Sequence, residues 1–436
     1  EMKISVIWGK YLESDQVSVD ENFFALGGDS IIAQRIAQEL TKQFAVKIPF
    51  VKIVETGTVK ELARFIQAET ESKEEPKATL LSENQGEKTV EASQTELPMT
   101  NIQKAYFNGR NDSFELAHYN AHYYFEVEFP YEISDIERSI AQMLERHEVL
   151  RSIFLKNGTQ KILADVPEYK VDITIAETEQ EFAEKNEQMR RELSHKNYDF
   201  SKWPLFTFEV LKRGCDDFKI LCASINLMVC DGDSLRIFLK EFTEGLNNKK
   251  LPPIHYSYHE YVNSLNDSTN EREYQEAKAY WLNKIPCFPE FPHLPMLKNL
   301  TQCKNYRISR VSETIDAETW GTFKNTVRKH AVSPSTVLCT IYARVLAKWS
   351  NQKDLLLNMT AFERKEFDQN VSGILGDFTK ILPLEVHIDG ADFWDNAMQI
   401  QTRILNNLDH KAFDGTEIIR ELSRLSNGIG KALMPR

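Results

Sequence analysis

Apolar residues recur at three- and four-residue spacing through the start of the chain. Ile4, Ile7, Trp8 and Tyr11 predict a helix over residues 2–13. Ile32, Ile36 and Leu40, with Ile31 beside them, predict a second helix that opens at Ser30. Val51, Ile53 and Val54 fit a short helical turn, and Val59, Leu62, Ala63 and Ile66 place a last helix over 58–67. The pattern predicts a small all-α four-helix unit over residues 1–70, with Val17 and Val19 packing the loop before Ser30. From about residue 69 to 96 the periodicity stops. That stretch is rich in Glu, Ser, Thr and Lys and has no aromatic residue, so it buries too little apolar surface to offset the entropy of ordering. A flexible linker is expected over 71–95.

The remainder alternates between the two periods. Residues 120–129 set Ala121, Tyr123, Phe125, Val127 and Phe129 against His122, Tyr124, Glu126 and Glu128, which predicts a strand with one buried face. Ser134 is the expected cap of a helix carrying Ile136, Ile140, Met143 and Leu144. Residues 218–229 form a nearly continuous apolar run, as in a strand covered on both faces. Ser333-Pro334 opens a helix with Pro at its first position, followed by Val337, Leu338, Ile341, Val345 and Leu346. Strands are expected over 355–360 and 380–388, the second with Leu382, Leu384, Val386 and Ile388 on one face. Phe393, Ala397, Ile400, Ile404 and Leu408 line another helix. The fold class is α/β with a small all-α unit ahead of it.

Composition narrows the function. A chain of 436 residues, 42% hydrophobic and 27% charged, suits two or three globular domains. The net charge of −12 argues against a nucleic-acid partner. No apolar run reaches the length of a membrane span, and the opening residues run straight into an amphipathic helix rather than a signal peptide. Cys215, Cys222, Cys230, Cys287, Cys303 and Cys339 lack metal-type spacing and read as reduced thiols of a cytoplasmic protein. His118 and His122 have no metal partner at useful spacing, so no metal is assigned. The abrupt start and end suggest a piece of a longer polypeptide.

Two places carry candidate chemistry. In Phe23-Phe24-Ala25-Leu26-Gly27-Gly28-Asp29-Ser30 two glycines allow a tight turn, and Ser30 reads as a helix N-cap at a site that favours an anion. The apolar strand ends in Asn226-Leu227-Met228-Val229-Cys230-Asp231-Gly232-Asp233-Ser234, and Leu235, Phe238, Leu239 and Phe242 mark the helix that follows. Asp231 therefore falls where a strand hands over to a helix N-terminus, with Asp233 or Ser234 able to cap. An ionised carboxylate there is expected to be held by an arginine or backbone N–H groups, with proton transfer the alternative. Asn226 reads as a hydrogen-bonding scaffold residue, since an amide is a poor acid and base. His147 reads as a packing or hydrogen-bonding histidine. Tyr106 and Arg110 share a helical face, either toward a substrate or bracing the domain.

These motifs resemble a known assembly. Leu-Gly-Gly-Asp-Ser ahead of an amphipathic helix resembles the carrier domains of nonribosomal peptide synthetases, which implies that Ser30 bears 4′-phosphopantetheine ending in a thiol. Residues 97–110 (Leu-Pro-Met-Thr-Asn-Ile-Gln-Lys-Ala-Tyr-Phe-Asn-Gly-Arg) resemble the opening signature of heterocyclization domains, members of the condensation superfamily. Arg146-His147-Glu148-Val149-Leu150-Arg151 with Asn157-Gly158-Thr159-Gln160 resembles the next signature, and Tyr280-Trp281 with Phe291-Pro292-His293-Leu294-Pro295 the proline-rich one. Ser333-Pro334-Ser335 with Leu346 and Trp349, then Gly376-Asp377-Phe378-Thr379, complete the set.

Condensation domains carry HHxxxDG where this chain has Asn226 and Leu227, and heterocyclization domains carry DxxxxDxxS. The chain keeps the second spacing in Asn226, Asp231 and Ser234, with Asn in place of the first Asp. The resemblance implies catalytic positions at Asn226, Asp231 and Ser234. It implies a two-lobed chloramphenicol-acetyltransferase-like fold over 96–436, with an N-lobe of about 96–270 and an incomplete C-lobe of about 271–436. It implies condensation of an acyl or peptidyl thioester with a carrier-bound Cys, Ser or Thr, then cyclodehydration to a thiazoline or oxazoline. A condensation-only enzyme and a non-catalytic carrier-docking domain are the alternatives. The family's threonine and aspartate proposed to drive cyclodehydration fall after Arg436. Implied partners are adenylation and downstream carrier domains, a phosphopantetheinyl transferase and acyl or aminoacyl thioesters, with no nucleic acid or membrane.

Overall fold

The computed structural model describes residues 1–71, 96–110, 121–297, 310–389 and 392–425, apart from 13, 15, 16, 24, 25, 29, 45, 47, 49–51, 54, 55, 217, 366, 369 and 370. The expected linker, His118, Cys303, Asp29 and the last eleven residues lie outside the described residues, as does most of the short helix expected around Ile53.

The N-terminal unit holds α1 (Met2–Leu12), α2 (Ser30–Phe44) and α3 (Val59–Glu71). Ile4, Trp8, Phe23, Ile36, Leu40, Ile53 and Leu62 form its core, and every one of them is shielded from water. That core does not end at the unit's edge, because Leu405 belongs to it, with Ala331 and Leu408 packed alongside.

The larger unit begins with β1 (Glu96–Pro98), α4 (Asn101–Gly109), β2 (His122–Glu128) and α5 (Ile133–Arg146). Next come β3 (Ser152–Phe154), β4 (Thr159–Ile162), β5 (Asp172–Ala176), α6 (Glu179–Leu193), β6 (Phe206–Arg213) and β7 (Lys219–Asn226). These strands make a three-stranded sheet of order β1-β4-β3 and a four-stranded sheet of order β2-β7-β6-β5. Helices α5 and α7 (Gly232–Leu246) pack together over one face of the second sheet, where Phe208, Phe238 and Phe242 stack. On the other face Phe182, Met189 and Leu193 of α6 meet Leu211 and Cys222.

The C-terminal part adds α8 (Tyr258–Asp267), α9 (Arg272–Lys284), α10 (Ala317–Arg328) and α11 (Pro334–Ser350). It continues with β8 (Asp354–Phe362), β9 (Thr379–His387), α12 (Phe393–Asp409) and α13 (Gly415–Leu425). Strands β8 and β9 pair antiparallel, and Ala343, Ala347, Leu355, Leu357, Leu384, Val386 and Ile400 close the core over them. Between the two strands the chain crosses back, so that Val371, Ile374, Leu375 and Phe378 lie in the core of the first sheet with Tyr258 and Tyr261.

Three local expectations are corrected. Ser134 does not cap α5: the helix begins at Ile133, and Asp135 instead accepts from the Glu132 backbone N–H at 3.1 Å. Strand β2 has no single buried face. It is an edge strand with helices over both sheet faces, so Phe125 packs on one core and Tyr124 on the other, while Val127 stays 46% exposed. On α11 the buried stripe is Thr336, Val337, Thr340, Ala343 and Ala347, because small residues fit the close approach to β8 and α12, and Leu338, Ile341 and Val345 face outward.

Candidate functional site

The turn before Ser30 is set by packing. Phe23 is fully buried and meets Trp8 edge-on at 5.2 Å between ring centroids. A Cβ on Gly28 would stand 2.4–2.6 Å from three atoms of the Phe23 ring, so only glycine lets the backbone pass there. Gly27 has φ +95°, and the Arg328 guanidinium comes within 3.0 Å of where its Cβ would be. The turn feeds Ser30 into the first position of the 15-residue helix α2. A close backbone cradle at a helix N-terminus with a cation beside it fits the phosphodiester of a prosthetic arm on Ser30. The capping role expected of the Ser30 hydroxyl rests on a side chain outside the described set.

The second site forms where β7 hands over to α7. Asp231 is fully buried and is itself the N-cap: its Oδ1 accepts from Ser234 N–H at 2.7 Å. Asp233 and Ser234, expected to cap, instead sit inside the first turn, because the chain enters the helix at Gly232. The Asp231 Oδ2 accepts from Phe378 N–H at 3.0 Å, and Asp231 N–H donates to the Gly376 carbonyl at 3.0 Å. The Ser234 hydroxyl donates to the same carbonyl at 2.7 Å and accepts from Gly376 N–H at 3.1 Å and Arg364 Nη2 at 2.8 Å. Arg364 also reaches Asp231 Oδ1 at 3.5 Å and Asp233 Oδ2 at 2.9 Å, with its guanidinium 4.5 Å above the Phe378 ring. Asp231, Ser234 and Arg364 thus knot the end of β7 to residues 376–378.

Asn226 stands apart from that knot. Its Oδ1 accepts from Met228 N–H at 2.9 Å, closing the turn that leaves the strand, and its buried Nδ2 has no partner among the described residues. Asp377 is 2% exposed. Its Oδ1 accepts from Thr379 N–H at 3.0 Å, whereas its Oδ2 is a second buried atom without a partner among the described residues. Burial, with the nearby Asp231 charge adding, pushes the Asp377 carboxyl up to about 7. Burial likewise raises Tyr123 to about 12 and Tyr106 beyond the ordinary phenol range, with Asp377 and Asp231 contributing to both.

The other candidate residues divide. Tyr106 lies beside the site, but Arg110 turns away: it donates to the Tyr198 carbonyl at 2.7 Å, bonds Asn197 Oδ1 and stacks 4.4 Å over Phe200. His147 is buried with Nε2 2.7 Å from Glu241 Oε2, and burial lowers its pKa. His122 Nε2 donates to the Leu193 carbonyl at 3.1 Å. No cluster able to hold a metal ion occurs among the described residues, and no helix of theirs is long and apolar enough to cross a membrane. Sequence reasoning missed Arg364, which lies 130 residues from Ser234 in no motif. It also passed over Asp377, visible within Gly376-Asp377-Phe378-Thr379 but marked there by nothing that distinguishes it from a turn aspartate.

Residues 93–431 match the condensation-domain family, and residues 3–66 match the phosphopantetheine attachment site family. The chain is 29% identical over 441 residues to bacitracin synthase 1 of Bacillus licheniformis, covering all of this chain and 8% of that protein. It is 27% identical over 427 residues to phenyloxazoline synthase MbtB of a Mycobacterium species, covering 95% of this chain and 35% of that one. Among solved structures it resembles the EpoB NRPS cyclization-docking bidomain from Sorangium cellulosum, with a TM-score of 0.70 and 24% identity over 77% of this chain and 68% of that one. The last likeness bears on the fold alone. The chain therefore spans well under half the length of these two curated relatives.

Proposed function

We propose that this chain, which belongs to the condensation-domain family and carries a phosphopantetheine attachment domain ahead of it, is the carrier and heterocyclization portion of a nonribosomal peptide synthetase. Its substrates are an acyl or peptidyl thioester and a carrier-bound Cys, Ser or Thr. The reaction is acyl transfer to the free amine followed by cyclodehydration to a thiazoline or oxazoline. When bound, 4′-phosphopantetheine on Ser30 supplies the thiol that holds an acyl group as a thioester. Further partners on this reading are adenylation and downstream carrier domains and a phosphopantetheinyl transferase.

The observation that carries the reading is the Asp231–Ser234 pair locked to residues 376–378, at a strand end where a condensation-only site would present histidine. Around this knot the titratable groups are carboxyl, phenol and thiol. The imidazoles of His122 and His147 are engaged elsewhere, by Leu193 and Glu241. Without an imidazole base, amide formation rests on holding amine and acyl carbon in register. Ring closure asks more, because the amide oxygen has to leave as water and needs a proton to do so. Both Asp231 carboxylate oxygens and the Ser234 hydroxyl are engaged by protein groups, so their part is to hold the loop that carries Asp377. The name of the mycobacterial relative, a phenyloxazoline synthase, agrees with a ring-forming outcome.

The test is the intact mass of the downstream carrier after reaction of a full module containing this chain with both carriers loaded. A product lighter than the linear amide by one water is expected. The linear amide alone would support condensation without cyclization, and unchanged substrates would support a docking role.

A further inference from the structure

The core of the carrier unit is completed by residues far along the chain. Leu405 is 4% exposed and belongs with Ile36, Leu40 and Leu62, and Ala331 and Leu408 pack against the same core. Gln401, Leu405 and Leu408 follow one another at i, i+4 and i+7, so they share one face of α12. The loop between α10 and α11 is fastened to that face. Gln401 Nε2 donates to the Ala331 carbonyl at 3.1 Å, and its Oε1 accepts from Ser333 N–H at 2.7 Å. His330 stacks flat on Trp394 of the same helix, with ring centroids 3.6 Å apart. The surface that meets the carrier is therefore held in shape by α12 itself.

Two features of the loop go beyond simple packing. Ala331 has φ +53°, a left-handed conformation that glycine adopts without cost and alanine does not. Its methyl group packs on the carrier core, a contact that glycine would forgo. Arg328, at the end of α10, is exposed and pairs with no carboxylate among the described residues. Its guanidinium reaches the turn ahead of Ser30, 3.0 Å from where a Cβ on Gly27 would stand. We propose that this face of α12 and its loop form a seat for the chain's own carrier, and that Arg328 makes the seat sense the arm. The phosphodiester on Ser30 binds the guanidinium, so a carrier bearing the arm is held while a bare one leaves more readily.

The direction follows from charge and linkage. A bare serine offers Arg328 an uncharged hydroxyl, whereas the arm brings an anionic phosphodiester to the positive end of α2. A charge-assisted bond made only in the seated state shifts the population toward that state. The apolar contacts of Ala331, Leu405 and Leu408 are common to both forms and set the basal occupancy. The arrangement suits the order of events at Ser30. A transferase installing the arm has to reach the turn that the guanidinium touches, and a weakly held bare carrier gives it access. With the arm in place, the seat keeps the carrier against the domain it supplies. One exposed ion contact biases this equilibrium without locking it, so the carrier still visits other domains. The inference rests on attachment at Ser30 and stands whether the larger domain closes rings or only forms amides.

The experiment uses the full chain with Leu405→Cys, where thiol alkylation reports release because position 405 is closed while the carrier is seated. The exposed Cys215 and Cys287 serve as internal references for the reagent. Rates are compared before and after treatment with coenzyme A and a phosphopantetheinyl transferase, with peptide mass confirming one arm on Ser30, and again with Arg328→Gln added. Attachment of the arm is expected to slow alkylation at position 405 by about threefold or more, and Arg328→Gln to abolish that difference. Equal rates with and without the arm would overturn the proposal, as would a difference that survives Arg328→Gln. A rate matching Cys215 in both forms would show that no seat exists. Absence of an arm on Ser30 would overturn the attachment site and this inference with it. If Leu405→Cys itself disturbs the seat, small-angle scattering of the chain with Leu405 intact decides. The form bearing the arm is expected to be the more compact, and a radius of gyration unchanged by the arm overturns the proposal.

Discussion

Asp231 and Phe378 lie 147 residues apart, yet the backbone N–H of Phe378 donates to Asp231 Oδ2 at 3.0 Å in a position closed to water. One carboxylate therefore caps α7 and pins the segment that leads into β9. The four-stranded sheet and the β8–β9 pair meet at this bond, and its loss affects both.

Replacing Asp231 by Ala strands two backbone donors, each worth roughly 1–3 kcal/mol when buried. A fall in melting temperature is expected, with amide and ring formation declining together. Asp231→Asn keeps an acceptor for one donor and should fall between Ala and wild type. Thermal unfolding of the three proteins checks this; an Asp231→Ala protein as stable as wild type would show that the bond to Phe378 holds little.

Arg364 is the cation of the knot, with its side chain 8% exposed. Arg364→Met preserves much of the stem over Phe378 but leaves Asp231 and Ser234 without it. Breaking a largely buried pair from one side costs roughly 3 kcal/mol. The expected result is a lower denaturant midpoint, with Asp231→Ala adding little to Arg364→Met because the two share one network. Additive effects in the double mutant would speak against a shared network.

Asp377 also makes stability depend on pH. Its carboxyl is raised in the folded protein to about 7, above the ordinary aspartate value of about 3.8. The folded state thus holds a proton that the unfolded state has released, so this contribution is complete at acid pH and is lost as pH rises toward and through 7. Asp377→Asn cannot ionise and is expected to gain stability relative to wild type as pH is raised from about 5 to about 8. Melting temperatures across that range test it, and parallel curves for the two proteins would contradict the raised carboxyl.

In the N-terminal unit, Gly28→Ala drives a methyl group into the buried Phe23 ring. Such overpacking costs roughly 1–3 kcal/mol, and the turn that presents Ser30 should shift with it. Incubation with coenzyme A and a phosphopantetheinyl transferase should add one arm to wild type, less to Gly28→Ala and none to Ser30→Ala. An arm still found on Ser30→Ala would move the attachment site elsewhere.

Much of this organisation could be read from residues in order. The spacing of Ile4, Trp8, Ile36, Leu40 and Leu62 placed the helices of the small unit, and the apolar run over 218–229 placed the central strand, because burial on one face or two leaves a period in the chain itself. Glycines 27 and 28 announced a close turn, and Asp231 a helix start, because those demands are local. Ser134 shows the limit even of local signals: several residues near a helix start can cap, and the helix begins one residue earlier with Glu132 at the cap and Asp135 bonding back to it.

What tertiary structure alone decided was which polar groups share the site. Arg364 carries no pattern of its own, and it becomes part of the knot because the chain after β8 folds back onto the start of α7. Asp377 looks like any turn aspartate until burial removes water from both its oxygens and packing supplies a donor to one of them. Leu405 reads as one more apolar position on α12, and only the folded chain places it in the core of the N-terminal unit. Periodicity records how much surface each element buries. It does not record against what, since desolvation and charge at a point are sums over neighbours that the chain brings together from far apart.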